Sequence, residues 1–250
     1  MTILFKKHFF LSGLLILSAF IIKAQQFSIG AKTGMTSSKF VSNSQNSFRN
    51  TFYFGVIANK RFNRTYSLQA EINFSSKGSN TNGLQTIPDL LYNEFNLSPN
   101  TTYYGSYKKE TILNNIEIPL LAKVELPINI HFRYYMLAGP YVGIVNKGKS
   151  VTSGSSNVYE DIAGQIPADE TKIGFVSFDN AWNSTKEFRK FTIGAEGGIG
   201  ISYGHPCKPV KIFIEGRFAI NISNIQKSIS FDKDKNQESL NAALGFLYKL

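Results

Sequence analysis

The residues that could perform chemistry are few, and their spacing fixes no catalytic geometry. His205 and Cys207 stand two positions apart, which is the pairing of a base with a thiol nucleophile. A spacing of two residues within a turn does not hold the imidazole and the thiol in a defined relative geometry. His131 is distant in sequence, and two separated histidines with one cysteine lack the spacing of a zinc site. We therefore predict ordinary turn residues here, and we expect no metal, no cofactor and no catalytic residue.

The other ionisable side chains recur at alternate positions of apolar segments, as in the stretch around Glu215 and Arg217. Grouped carboxylates can form a proton path or a catalytic pair. A packed network of opposite charges is the simpler interpretation, with a structural role. The predicted members are Lys32, Glu71, Glu117, Lys123, Glu125, Arg133, Glu196, Glu215 and Arg217.

Residues 111–145 show most clearly which elements position these charges. Apart from Asn114, apolar residues occupy every second position from Ile112 to Leu126, while Glu117, Lys123 and Glu125 occupy the opposite phase. A two-residue period indicates a strand rather than a helix. A short connection at 126–129 then joins this strand to a second alternating one. Two strands of this length joined by a tight turn are typical of a barrel that spans a bilayer.

The same alternation recurs along the chain and predicts eight strands. They occupy residues 26–34, 51–62, 66–77, the two halves of 111–145, 190–203, 210–222 and 239–250. Polar insertions at 35–50, 78–110, 146–189 and 223–238 separate them in alternation with short turns. This pattern predicts an all-β, eight-stranded, antiparallel up-and-down transmembrane barrel with short periplasmic turns and long extracellular loops.

The apolar faces are then expected to meet lipid and the charged faces to meet the lumen. An eight-stranded barrel is just wide enough for side chains to fill, so the charges should pack rather than line a channel. The opposite arrangement, with an apolar interior, would indicate a soluble barrel similar to a lipocalin. The sequence cannot contain a helical membrane span after residue 24, because no apolar run there is long enough.

Residues 1–24 have the features of a signal peptide, and residues 25–250 then form the barrel domain. Lys6 and Lys7 precede a short apolar run, and Ala24 provides a small residue for cleavage. The net charge of +10 falls to +7 when the three lysines of this segment are removed. The basic residues are scattered along an exported chain, which argues against nucleic acid and for attraction to anionic surface glycolipids.

Several segments resemble one known family. They are IEIPLLAKVEL at 116–126, LAGPYVGI at 137–144, IGAEGGIGISY at 193–203, IEGRFAINISNI at 214–225 and the opening FSIGAKTGMTSS at 27–38. These resemble the outer-membrane barrel domain of PorT-type proteins from Bacteroidetes-like bacteria. The resemblance implies a small barrel in a Gram-negative outer membrane and supplies no catalytic residue. The name-giving members are linked to protein secretion across that membrane.

The function predicted from the sequence is a structural or surface-interaction role. The long loops would contact envelope proteins or extracellular ligands, with Tyr103, Tyr104, Tyr107, Tyr159 and Trp182 as candidate contacts. Those aromatic residues could instead pack the loops together. A narrow passive pore, a component of secretion, or a hydrolase with acidic residues such as Asp161 and Asp179 at its rim remain alternatives.

Overall fold

Eight long strands make up most of the computed structural model, which describes residues 27–41, 46–168, 175–205, 207–225 and 236–250. The predicted signal peptide lies outside these residues. The strands are β1 (Phe27–Val41), β2 (Arg49–Arg61), β3 (Tyr66–Thr86), β4 (Tyr104–Pro127), β5 (Phe132–Ser153), β6 (Phe191–Gly204), β7 (Val210–Asn221) and β8 (Asn236–Lys249). Short strands lie at Asn46–Ser47, Ser155–Ser156, Val158–Tyr159, Val176–Ser177 and Asn180–Asn183, and 3-10 turns at Asp89–Leu91 and Thr185–Glu187.

The eight strands form a closed antiparallel ring, which confirms the predicted fold class. Each strand pairs with its neighbours in sequence, and β1 pairs with β8 to close the wall. Residues 62–65, 128–131 and 205–209 connect strands at one end, which we call the turn end. The longer connections lie at the opposite end, the loop end. Closure pairs both edges of each long strand through the part of the wall that all eight strands share, as a bilayer requires.

The outer face of the ring carries an apolar belt bounded by aromatic side chains. Phe54, Phe74, Ile116, Ile144 and Phe191 are consecutive partners across five strands near the loop end. Exposed aromatics also surround the turn end: Phe62, Tyr66, Phe132, Tyr134, Tyr203 and Tyr248. On β3, the nine residues from Tyr66 to Phe74 span eight residue steps and a height of about 21 Å, close to the roughly 25 Å apolar band of membrane barrels.

Glycines of β6 and β8 make room for aromatic rings inside the wall. Tyr135 faces Gly200, and Tyr141 faces Gly194 on the neighbouring strand. A Cβ atom at either glycine would lie 2.4 Å from the Cζ atom of the facing ring. The glycine-rich segment of β6 therefore lets tyrosine rings lie against the backbone of the next strand.

The predicted loops are wrong in extent, because the wall continues far beyond the apolar belt. Residues 78–110 were predicted as loop, yet β3 runs to Thr86 and β4 begins at Tyr104. Likewise β5 extends to Ser153, and β1 extends to Val41. Most outward residues in these extensions are polar, as at Asn82, Lys108 and Lys149, so the apolar alternation fades although the hydrogen-bonded ladder continues. The 24 residues of β4 would reach about 60 Å along the barrel axis at a tilt near 40°, well over the belt height.

We predict that an outward arginine destabilises the barrel only where the wall contacts lipid. Leu120 is exposed on β4 and pairs with Ala70, midway up the belt, whereas Asn114 is exposed on the same strand beyond it. Leu120→Arg should lower the free energy of unfolding by about 2–4 kcal/mol, and Asn114→Arg by about 0–1 kcal/mol. Denaturant unfolding in lipid vesicles measures both, and equal effects would contradict the position of the belt.

Candidate functional site

The interior of the barrel is filled by alternating charged and apolar layers. Near the turn end, a charged group around Glu125 lies beneath an apolar layer made of Ile57, Leu121, Tyr135, Leu137, Phe213 and Leu247. A central charged group follows, and then a second apolar layer made of Phe40, Leu113, Val145, Phe188 and Ile225. The loop end is covered by a cap of packed loop residues.

Arg217 is the centre of the charged group between the two apolar layers. Its guanidinium binds Glu71 through two bonds of 2.7 and 3.1 Å. Two further contacts of 2.7 Å reach Glu196 and Glu215. Lys32 bridges the same set, with its Nζ atom 2.7 Å from Glu71 and 3.2 Å from Glu215. These five side chains are at most 4% exposed, so each charge depends on the others rather than on water.

Neutral donors complete the coordination of the central carboxylates. The Tyr135 hydroxyl donates to Glu215 at 2.9 Å, and the Asn73 amide donates to Glu71 at 3.0 Å. Three carboxylates still face two cations here, which leaves one surplus negative charge. Hydrogen bonds to buried carboxylates reduce their desolvation cost, so these neutral residues are part of the network.

The predicted charged set is divided by the structure into separate groups. Lys32, Glu71, Glu196, Glu215 and Arg217 form the central group. Glu117 pairs with Lys77 at 2.6 Å, nearer the loop end. Glu125 and Lys123 form the group at the turn end, 3.1 Å apart. Arg133 lies apart from all three groups at the turn-end mouth, where it donates to the Arg64 carbonyl at 3.1 Å.

Three charged members were absent from the predicted set. Lys77 pairs with Glu117, while Arg61 and Lys211 both reach Glu125, at 3.3 and 2.9 Å. The alternation contained the signal for each of them. Lys77 is in phase with Glu71 on β3, and Arg61 is in phase with the buried residues of β2. They were missed because they stand near the ends of the predicted strands.

The histidine and cysteine candidates lie near one another at the turn end, where the contact between His205 and Cys207 is made by the cysteine backbone. The backbone amide of Cys207 donates to Nδ1 of His205 at 3.2 Å, so that nitrogen already has a partner. The ring of His131 lies 5.3 Å from that of His205 and stacks on Tyr203. Among the described residues, no group of three or more His, Cys, Asp or Glu side chains could hold a metal ion.

Asp161 and Asp179, the acidic candidates of this loop that the structure describes, bind the loop itself. Asp161 accepts hydrogen bonds from the amides of Ala163, Gln165 and Ile166. Asp179 accepts from the Gly154 amide and from the Ser177 hydroxyl. Carboxylates engaged in turns of this kind stabilise the loop and give no sign of catalytic pairing.

The cap is a small hydrophobic core built by the loops above the wall. Its buried members are Ile87, Leu91, Tyr92, Phe95, Leu97, Tyr103, Tyr107, Val158, Ala168 and Phe178. Phe178 is central: it stacks on Tyr107 at 4.6 Å between ring centroids and meets Phe95 edge-on at 5.4 Å. Burial raises the pKa of the Tyr92 phenol, which accepts a hydrogen bond from the Tyr103 amide.

The five aromatic candidates are placed differently from one another. Tyr103 and Tyr107 are buried within the cap and pack the loops together. Tyr104 and Tyr159 are half-buried and face each other across a short ladder between β4 and Val158–Tyr159. Trp182 is half-buried, and its indole donates to Glu187 at 3.4 Å. Only the last three therefore present accessible aromatic surface at the loop end.

The side chains of the central group lie close together in the interior. A cavity there measures only about 10 Å³, and Lys32, Lys77, Glu117 and Arg217 contribute to its lining. That volume is about what one water molecule requires. In the chain that the structure describes, no helix is long and apolar enough to cross a membrane.

Comparison with known proteins gives one family and several structures of similar fold. The family model described as "Outer membrane protein beta-barrel domain" matches residues 23–227. Among curated proteins, none is significantly similar to this chain in sequence. Neisserial surface protein A is 14% identical with a TM-score of 0.42, over 90% of this chain and 97% of that one.

Two further structures resemble the chain at comparable levels. Ail, the attachment invasion locus protein of Yersinia pestis, is 10% identical with a TM-score of 0.38, over 89% of this chain and 99% of that one. The outer membrane protease OmpT from Escherichia coli is 12% identical with a TM-score of 0.45, over 91% and 97%. At these identities the likeness concerns the fold alone.

We predict that two substitutions within the central group change the free energy of unfolding by very different amounts. Arg217→Met would leave three buried carboxylates with Lys32 as their remaining cation, and should cost about 3–5 kcal/mol of unfolding free energy. Glu196→Gln removes the surplus negative charge and keeps an acceptor for Arg217, so its effect should stay within about 1 kcal/mol. Denaturant unfolding in lipid vesicles distinguishes them, and similar losses from both variants would refute the charge count.

Proposed function

This chain belongs to the family of outer membrane protein β-barrel domains, and we propose that it is a closed barrel that presents a folded cap at the cell surface. The family implies the outer membrane of a Gram-negative bacterium. The cap would contact envelope proteins or extracellular ligands, and the barrel would supply the anchor. No catalytic role is part of this proposal.

The observation that carries the proposal is the combination of a filled lumen with an ordered cap. Leu121 and Tyr135 lie in one apolar layer across the interior, and Leu113 lies in another. Transport would require both layers to open. The cap, by contrast, is built by long strand extensions and a hydrophobic cluster around Phe178 that transport would not need. A rigid wall that carries structured loops is the usual arrangement for recognition.

The orientation follows the general pattern of outer-membrane barrels, whose short turns face the periplasm and whose long loops face outward. The cap would then lie outside the cell, and both described ends of the chain, Phe27 and Leu250, would lie at the periplasmic surface. A signal peptide at residues 1–24 is consistent with this orientation and forms part of the proposal.

Two predicted alternatives are less well supported. A narrow pore needs a continuous path, whereas the described lumen is crossed by apolar layers and contains a cavity of only about 10 Å³ at its centre. The resemblance to PorT-type proteins, and with it a link to secretion, stays a prediction. The filled lumen would restrict any such link to a partner of the secretion apparatus and not its conduit.

Sidedness can be tested with the native cysteine, because Cys207 is exposed at the turn end. A membrane-impermeant maleimide should label Cys207 only after the cells are broken. The matched variant carries Cys207→Ser together with Asn157→Cys, which moves the thiol to an exposed position at the loop end. That variant should be labelled on intact cells. Labelling of native Cys207 on intact cells would contradict the proposed orientation and place the turn end outside the cell.

Conductance tests the filled lumen directly. The folded protein inserted into a planar bilayer should give no discrete current steps, because no continuous aqueous path crosses the two apolar layers. Folding of the same protein preparation is confirmed independently by its heat-modifiable electrophoretic mobility after reconstitution into lipid vesicles. Reproducible steps of uniform size from inserted protein would overturn the proposal in favour of a pore.

A further inference from the structure

The turn-end mouth of the barrel is a cup of about 370 Å³ with basic walls. Arg61, Arg133, Lys211 and Lys249 line it from four different strands, β2, β5, β7 and β8. Two turn residues, Arg64 and Lys208, extend the basic lining at its edge. The cup has the volume of a small-ligand site and an unusual concentration of one charge.

The cations at the cup greatly outnumber their counter-charges. In the part of the chain that the structure describes, Glu125 is the one carboxylate that pairs with them. Its Oε2 atom already serves both Arg61 and Lys211, and its Oε1 atom lies 3.1 Å from Lys123. Like charges gathered in a concave site repel one another and raise the local concentration of anions. This arrangement therefore favours an anionic occupant.

The cup ends inside the barrel instead of leading through it. Leu247 is part of its lining and also part of the apolar layer nearest the turn end. An anion that enters the cup meets this layer and has no polar route further. The cup is thus a closed recess, which is the geometry of a binding site and not that of a channel entrance.

We propose that the turn-end cup binds a small ligand carrying two or more phosphate or carboxylate groups. Arginine presents a planar fork of donors that matches these groups in bidentate geometry, and three arginines border the cup. The four strand cations of the lining, Arg61, Arg133, Lys211 and Lys249, occupy the inward phase of their strands, which favours a free ligand over a lipid headgroup. The site is independent of the cap, so it stands whether or not the cap recognises a surface ligand.

Pyrophosphate is a suitable probe for the full chain in a neutral maltoside detergent. Isothermal titration should show saturable binding that weakens as salt is added. Arg64→Gln with Lys249→Gln removes two exposed cations that have no described carboxylate partner, so the wall should still fold. This pair should weaken pyrophosphate binding by about tenfold or more. The matched pair Lys147→Gln with Lys149→Gln changes the net charge equally at the loop end and should leave binding unchanged.

Three outcomes would overturn the proposal. An equal loss of pyrophosphate affinity in both double variants would show that binding depends on the net charge of the protein and not on the cup. If the native chain shows no saturable binding of pyrophosphate at millimolar concentrations, the cup is not a binding site for such anions. A glutamate-rich peptide or phosphatidylglycerol vesicles that bind at the cup without competition from pyrophosphate would assign it to another class of partner. A rise in the unfolding temperature of the native chain with pyrophosphate, absent in the turn-end variant, would support it independently.

Discussion

The structure depends on the pairing of charged side chains that have no access to water inside a narrow barrel. Arg217 holds Glu71 in a two-bond contact and also reaches Glu196 and Glu215, each from a different position on the wall. A buried charge without a partner is far more costly than a pair, so the strands must meet in the one register that brings these groups together. The network therefore specifies register more than it adds net stability.

The same constraint explains why the sequence predicts the fold so well and the loops so poorly. Where the wall crosses lipid, the outer face must be apolar and only the inner face can carry charge, so the alternation of outward Ile116, Ile118 and Leu120 with inward charges such as Glu117 is clear. Beyond the belt both faces meet water or the cap, and the alternation fades. The ladder nevertheless continues through Thr86 and Tyr104, because backbone hydrogen bonds do not need apolar side chains. A loop inferred from polarity alone is therefore too long.

The composition of the charged set was largely predictable from phase, but its division into groups was not. Phase shows that Glu117, Glu125 and Glu215 point inward, and says nothing about which cation each meets. That choice depends on the stagger between strands, which places Lys77 beside Glu117 and Lys211 beside Glu125. The hydrophobic core of the cap was still harder to predict from the sequence. Tyr103 and Tyr107 look like exposed loop aromatics in sequence, yet Tyr103 packs against Tyr92 and Tyr107 stacks on Phe178 in one buried cluster.

The filled interior also separates the two ends of the molecule. A ligand at the loop end would contact the cap, whereas an anion at the turn end would contact Arg61 and its neighbours. Between these sites lie two apolar layers and the Arg217 group, packed around a cavity of about the size of one water molecule. Coupling between distant sites requires an element with two discrete arrangements, and tightly packed interiors resist intermediate ones. A shift of Arg217 would weaken its ion pairs with three buried carboxylates at once, so a second arrangement of this group would be costly. The two ends are therefore best understood as independent surfaces on one rigid wall.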